Sequence, residues 1–435
     1  MARPRSARAR RCGSITARAS SIAPSSRRNT ATTPKPTAAR PERAGGRAMS
    51  YDFIVVGAGI AGASAAYHLK TGGAQKVLLL DRGGPAAGGT GKSAAIMRQS
   101  YSTTLLVRLA MKSIVMLRNA KTELGSDGGL HEVGYTFIYS RDMLEGARRN
   151  FAMQKSLGVV NKWCDGYGFP ELFPEANPDG IAAMVHEPHG GYADPVRATE
   201  AYVDAFVRAG GEFRPRTPVR RLLGDAKRVG GIELDDGPLA AGSVINAAGP
   251  WARPLAESVG LDLPMRSVRE QDTAWEVPAG RPIPPTSVSN GVDAVYMRPM
   301  GGRRFIIGRG FPKVYFDVDP YNYKTTADPD FIHDVQTRVE ARLPPFAGMK
   351  LIEAYAALYD VTPDWYPFVG PRSDTRGYAD FSGGSGHGFK IAPAIGAELA
   401  QWLIAGKVAE DFRQFSHDRI ANGRLFVQSF GGNRG

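Results

Sequence analysis

The chain has 435 residues and a formal net charge of +13, long enough for two domains because a single core rarely grows past roughly 250 to 300 residues. The charge is uneven: residues 1–48 hold eleven Arg, Lys35 and one acid, Glu42, which is +11, and residues 49–435 carry the remaining +2. A nearly neutral body excludes a nucleic-acid-binding protein, two cysteines (Cys12 and Cys164) exclude a disulfide framework or thiolate metal site, and no apolar run reaches the roughly eighteen residues of a membrane span.

Residues 1–48 are rich in Arg, Ser, Ala, Thr and Pro, nearly lack large apolar side chains, and read as a disordered basic leader. Their basic, acid-poor composition resembles a mitochondrial transit peptide. A disordered tail and a translated extension ahead of a start at Met49 are the alternatives. The extension is favoured, because Arg far outnumbers Lys in the body too, as in a GC-rich bacterial gene. That places the protein in the cytoplasm, with the mitochondrial matrix as the alternative if the leader is a transit peptide.

The first structured element is an apolar strand, Phe53 to Val56, running into Gly57, Ala58, Gly59, Ile60, Ala61 and Gly62; a helical pattern follows, then a second apolar run, Val77 to Leu80, and an acid, Asp81. This is a βαβ unit with a dinucleotide fingerprint. The first glycine allows the tight turn, the second lets the backbone approach a pyrophosphate, and the third lets helix and strand pack closely. Phosphates would sit on the helix N-terminus, and Asp81, nineteen residues after Gly62, stands where a carboxylate can accept hydrogen bonds from a ribose. Next comes a glycine-rich loop, Arg82 to Lys92, in which Gly91-Lys92-Ser93 fails as a P-loop because the leading glycine would fall at Ala86.

A helix is predicted from about Thr103 to Leu124, a strand from Tyr135 to Tyr139 and a helix near Met143 to Leu157. His186 and His189 are read as ordinary loop histidines, since neither spacing nor context suits a metal. Beyond Ala193-Asp194-Pro195 a helix is predicted over Ala198–Arg208. Strands follow at Val219 to Leu223 and Val229 to Leu234, then a turn at Asp235-Asp236-Gly237. Val244 to Trp251 reads as a buried strand that ends in small residues and enters a helix. Residues 265–350 return to strand and turn composition, with strands at Ala294 to Met297 and Arg304 to Ile307 and a helix near Asp330 to Arg342. Finally Gly383 to Lys390 forms a second glycine loop, feeding a helix from Ala392 to Ala405. Glycine loops at both ends, each leading into a helix, suggest one ligand held from two sides.

Taken together, these segments resemble the D-amino-acid oxidase superfamily of flavoproteins, in particular the sarcosine oxidase and dimethylglycine dehydrogenase group. The residues carrying the resemblance are Val55 to Gly62, Lys92 to Arg98, Val244 to Trp251, Asp360 to Asp364 and Ser382 to Lys390. It implies an α/β fold: a Rossmann-like, glutathione reductase-like FAD-binding domain with a second substrate domain on a mixed, largely antiparallel sheet. It implies a discontinuous layout, with FAD-binding parts at 49–130, 192–264 and 355–425 and substrate parts at 131–191 and 265–354. And it implies FAD rather than NAD, with a small amino-acid substrate and an electron acceptor as partners.

Residue by residue, the resemblance implies that Arg98 and Lys390 clamp the substrate carboxylate and that Tyr296 lines the substrate pocket. His387 lies inside the second glycine loop, with backbone contact to the isoalloxazine as its plainest role and acid–base chemistry as the sharper one. The cofactor would be held by Gly57 to Gly62, Asp81, Arg82, Lys92, Ser93, Val219, Ala248, Gly249 and Trp251, and by Gly384, Gly386, His387, Gly388, Phe389 and Lys390. Three departures are informative. The cysteine that tethers flavin in monomeric sarcosine oxidases falls at Ala357, which implies noncovalent FAD. A second family arginine is Ala95. The lysine that promotes oxygen reaction falls near Ile306, which favours a dehydrogenase over an oxidase. The expected activity is oxidation of the C–N bond of a small, secondary or N-methylated amino acid to an imine that water hydrolyses. A D-amino-acid or glycine-type oxidase and a non-catalytic FAD-binding assembly factor are the alternatives.

Overall fold

In the computed structural model, which describes residues 50–430, the strand Ser50–Val56 lies at the centre of the parallel core of an eight-stranded sheet. Its composition explains its place. Ile54 and Val56 turn to one face and Val55 to the other, all buried, as a strand covered on both sides requires. It pairs in parallel with Val77–Leu80 on one side and Gly237–Asn246 on the other; Glu212–Arg214 and Tyr378–Ser382 extend the parallel core outward. One face is covered by the helices Ile60–Thr71, Thr104–Arg118, Pro195–Arg208 and Ala392–Ala405. The other packs on the antiparallel strands Arg221–Asp225 and Arg228–Leu234 and the short helix Ala252–Glu257. The leader and Cys12 lie outside the described residues.

A second eight-stranded sheet runs in the order Lys350–Val361, Arg266–Glu276, Arg304–Arg309, Val295–Pro299, Ser287–Asn290, Tyr135–Tyr139, Ala183–Glu187, Lys162–Asp165. All its pairings are antiparallel except that between Ser287–Asn290 and Tyr135–Tyr139, so the sheet is mixed and largely antiparallel. Strand alternation divides its residues cleanly. Val295, Met297, Phe305 and Ile307 pack on Val335, Val339 and Leu343 of and beside the helix Pro329–Arg342. The intervening Tyr296 and Gly308 face a cavity instead.

Local differences from the sequence expectation have local causes. The helix expected to reach Leu124 stops at Arg118, with Asn119 as its C-cap, and a separate turn, Ala120–Glu123, follows. The helix expected from Ala198 begins at Pro195, because Asp194 caps it by accepting from Val196 N–H (3.0 Å) and Arg197 N–H (3.1 Å) and Pro suits the first turn. His186 lies in the strand Ala183–Glu187 rather than a loop, its Nδ1 3.0 Å from Thr136 Oγ1. The strands Arg266–Glu276 and Ser287–Asn290 fall within residues 265–350, where strand composition is expected without their positions, and Lys350–Val361 runs unbroken across residues 354 and 355.

Candidate active site

An elongated cavity of about 920 Å3 reaches from the first glycine turn to the second glycine loop and the inner face of the second sheet. Its first end is made of backbone. Gly57 has φ +108°, and a Cβ there would stand 2.4 Å from Ala247 O. A Cβ at Gly62 would stand 1.8 Å from Gly57 O, so the third glycine sets how closely the helix Ile60–Thr71 follows the turn. At the start of that helix Thr90 Oγ1 accepts Ile60 N–H at 3.3 Å, and the positive dipole end is left to an anion. Asp81 accepts Ala58 N–H at Oδ2 (2.8 Å) and Gly83 N–H at Oδ1 (2.7 Å), bracing the turn while its remaining lone pairs line the cavity. Beside it, the Arg82 guanidinium stacks 3.6 Å over the Trp251 ring. A narrow glycine cradle, the start of a helix and a carboxylate beyond it fit a dinucleotide.

The second end depends on the meeting of two helices. Ile60–Thr71 and Ala392–Ala405 pack so closely that a Cβ on Gly396 would stand 2.4 Å from Ser64 Oγ, and Ser64 Oγ donates to Ala392 O at 3.1 Å. This places the start of the second helix, and the glycine loop before it, near the start of the first. Asp360 holds that loop: Oδ2 accepts Gly383 N–H at 2.7 Å and its carbonyl accepts Ser385 N–H at 3.0 Å. Gly386, at φ +77°, lies against the Tyr359 ring, with no room for a Cβ. The first-turn N–H groups of the helix behind it are already taken, Ala392 N–H by Gly388 O and Ala394 N–H by Ser113 Oγ (3.1 Å), and Pro393 has none, so the loop's own backbone lines the cavity and the helix adds only its positive dipole end.

Two buried cations reach the same cavity. Arg98 donates through Nη1 to Ser100 O and stacks 4.4 Å over the Tyr101 ring. Lys390 makes neither an ion pair nor a hydrogen bond with another described residue. Burial first, and then the Arg98 charge, push the Lys390 ammonium well below the usual lysine range. Two like charges out of water and near one another call for an anion between them. Behind Arg98 stands Glu187, whose Oε2 accepts Gln99 N–H at 2.7 Å and whose carboxyl burial pushes up to about 7.

His387 is placed differently from the acid–base role. Its ring is buried and does not line the cavity. Nε2 lies 2.6 Å from Trp365 O, which can only accept, so Nε2 carries the proton and Nδ1 faces the Tyr101 hydroxyl at 3.3 Å. Burial, then the Lys390 charge, push it down to about 3. Both nitrogens are occupied and the ring stays neutral, so the side chain positions the loop rather than exchanging protons.

Of the other residues singled out from the sequence, the cavity wall includes Gly57, Gly59, Ile60, Ala61, Asp81, Arg82, Lys92, Ser93, Val219, Ala248, Gly249, Trp251, Gly384, Gly386, Gly388, Phe389, Lys390, Arg98 and Tyr296. Ala58 and Gly62 lie behind it, where they brace the turn. Ala357 lines the cavity; Ile306 does not. Sequence reasoning missed Glu270 and Asp272, both buried in the cavity wall. Their signal was there: the two acids are separated by one residue within Val268 to Trp275, which puts both on one face of a strand.

The pattern that defines the DAO family, described as FAD-dependent oxidoreductases, matches residues 52–402. The chain belongs to that family. Similar DAO proteins include 4-methylaminobutanoate oxidase (formaldehyde-forming) of Paenarthrobacter nicotinovorans, 26% identical over 83% of this chain and 45% of the relative. Mitochondrial sarcosine dehydrogenase of Homo sapiens is 25% identical over 84% of this chain and 41% of the relative. The chain thus spans less than half the length of these curated relatives. Among solved structures, L-proline dehydrogenase from P. horikoshii superposes with a TM-score of 0.79 at 24% identity, over 87% of this chain and 99% of that one. The DAO fold is therefore shared, with its Rossmann-like part binding FAD. Among the described residues, no helix is long and apolar enough to cross a membrane.

Proposed function

We propose that this chain oxidises the C–N bond of a small amino acid, secondary or N-methylated, with Arg98 and Lys390 holding the substrate carboxylate. The observation that carries this reading is the Lys390 ammonium, buried without a protein anion and next to a second buried cation, in the wall of a cavity that also holds the dinucleotide cradle. A scaffold protein has no use for such a pair. FAD, when bound, supplies the hydride acceptor. The chain's residues supply position: fixing the carboxylate at two points orients the Cα–H bond, and orientation of this kind contributes several kcal/mol to a barrier. The glycine loop 383–390 offers backbone N–H groups, and the helix after it a dipole end, to developing negative charge.

Noncovalent attachment follows from Ala357, a methyl group where a tethering side chain would be needed, and transfer of electrons to a carrier rather than directly to O2 follows from the apolar Ile306. The mitochondrial relatives do not fix a compartment for this chain, and we keep the cytoplasm as its location. We read 49–130, 192–264 and the residues from 362 to 425 as the FAD-binding part and 131–191 and 265–361 as the substrate part, since the expected boundary at 354/355 falls inside the strand Lys350–Val361. The test is anaerobic bleaching of the FAD-loaded protein by a panel of sarcosine, dimethylglycine, proline and D-alanine. Bleaching by the first two supports the reading; bleaching by D-alanine alone supports a D-amino-acid oxidase; no bleaching by any amine refutes an amine-oxidising role.

A further inference from the structure

The cavity wall formed by the second sheet is acidic. Asp272, Gly308 and Tyr296 stand directly beside one another on three adjacent strands. Because Gly308 has no side chain, the Tyr296 hydroxyl reaches across it and donates to Asp272 Oδ1 at 2.6 Å. A Cβ on Gly308 would lie 2.3 Å from Asp272 Oδ1 and 2.4 Å from the Tyr296 oxygen. Glu270, two residues earlier on the same strand face, pairs through Oε1 with Lys313, while its buried Oε2 has no partner. Asp272 has no ion-pair partner among the described residues. Arg298, on the strand of Tyr296, stacks 4.7 Å over Tyr192 and donates to Pro299 O; its Nε has no partner among the described residues and its charge favours the ionised Asp272, but it makes no ion pair with Asp272 and does not line the cavity.

One lysine therefore faces two buried carboxylates, and a buried carboxylate without a cation or a proton is costly. We propose that Glu270 and Asp272 receive the substrate's amino group as a cation, and that Asp272 takes its proton before oxidation. This rests on the reading of Arg98 and Lys390 as the carboxylate clamp, since it makes the cavity bipolar and matched to a zwitterion. In the proton step an N–H bond of the ammonium breaks, an O–H bond forms at Asp272 Oδ2, and the electron pair stays on nitrogen. Oδ1 continues to accept from Tyr296. The charged and titratable groups around Asp272 are Glu270 on its own strand, Tyr296 and Arg298 on Val295–Pro299, Lys313 beyond Arg304–Arg309, and Tyr355 and Tyr359 on Lys350–Val361. Burial, foremost among the causes, pushes its carboxyl up to about 7, the range in which an acid can both bind a cation and accept its proton.

The test uses trimethylglycine, a permanent cation with no N–H and no lone pair, and its neutral isostere 3,3-dimethylbutanoate, titrated calorimetrically into the FAD-loaded protein. At about pH 8 trimethylglycine binds about tenfold or more tightly. The preference disappears in Asp272→Asn and falls in Glu270→Gln, while the affinity for 3,3-dimethylbutanoate is unchanged in both. Trimethylglycine affinity also rises with pH through about 7 in the wild type, as Asp272 ionises, and that rise is absent in Asp272→Asn. Lys390→Met weakens both ligands. Equal affinity of the two ligands in the wild type, with Lys390→Met weakening both, overturns the acidic wall and leaves the clamp standing. Failure of both ligands to bind, or indifference of both to Lys390→Met, overturns the clamp and the acidic wall with it. Should Asp272→Asn fail to fold, Glu270→Gln carries the comparison.

Discussion

Replacing Lys390 by Met separates binding from stability in opposite directions. The side chain is buried and lies beside Arg98, with no anion of the protein to compensate it. A charge-assisted hydrogen bond to a carboxylate contributes about 1.5–3 kcal/mol, so its loss weakens carboxylate binding about 10- to 150-fold. In the ligand-free protein the same change removes an uncompensated polar group and fills its volume with an apolar one, which should stabilise by about 1–3 kcal/mol. The pH dependence fixes the sign. Burial and Arg98 depress the folded-state pKa of Lys390, so between that depressed value and the unfolded value near ~10.4 the unfolded chain holds a proton that the native state does not. Wild-type stability therefore rises with pH across that window, and the Met variant loses the slope. Urea denaturation at several pH values, paired with calorimetric titration of 3,3-dimethylbutanoate, reads both effects. A variant that is less stable at every pH and binds the carboxylate unchanged would refute the argument.

Gly62→Ala forces a methyl group to within 1.8 Å of Gly57 O; the turn must open, and purified protein should carry little FAD while retaining its helical circular dichroism. The buried Asp364–Arg419 pair, bidentate at 2.7 and 2.9 Å with Arg419 also donating to Tyr366 O at 2.6 Å, predicts a loss of about 3–5 kcal/mol for Asp364→Asn or Arg419→Met alone. The double variant should lose less than the sum of the two, and additivity in urea would contradict this. Burial alone would raise the Asp364 pKa, but Arg419 outweighs it and holds the carboxyl below the ordinary range, so the pair's contribution is present above about pH 4 and lost as pH falls through the lower folded value. His387→Gln should leave the pH profile of turnover between about pH 6 and about pH 9 unchanged, because the imidazole, pushed down to about 3, is neutral throughout. It should also flatten the fall in stability as pH drops below about 6.5, where only the unfolded chain gains that proton.

Much of the molecule was legible because its signals are local. The run Phe53 to Val56, the glycines after it and the run Val77 to Leu80 gave the βαβ unit directly, and the helix Ala392–Ala405 was placed to the residue. The second sheet was harder, since tertiary burial overrides polarity there. Lys350 to Glu353 are exposed at the sheet edge, and Glu270 and Asp272 are buried although charged, so neither strand shows the apolar alternation expected of a half-covered sheet. The ring of His387 illustrates a second limit: its tautomer depends on the carbonyl of Trp365, 22 residues away, and its neutrality on burial and the Lys390 charge, neither of which composition reveals.

The contact between Gly396 and Ser64 carries a consequence for synthesis. The helices that begin at residues 60 and 392 must lie side by side before the cradle can close, and the strand at 378–382 completes the sheet on which both rest. A nascent chain can form its opening βαβ unit early, yet it cannot enclose a nucleotide until the helix that ends at Ala405, about 320 residues later, has left the ribosome. Flavin loading then waits for that helix, and an apo-form precedes the flavin-bound form of every molecule.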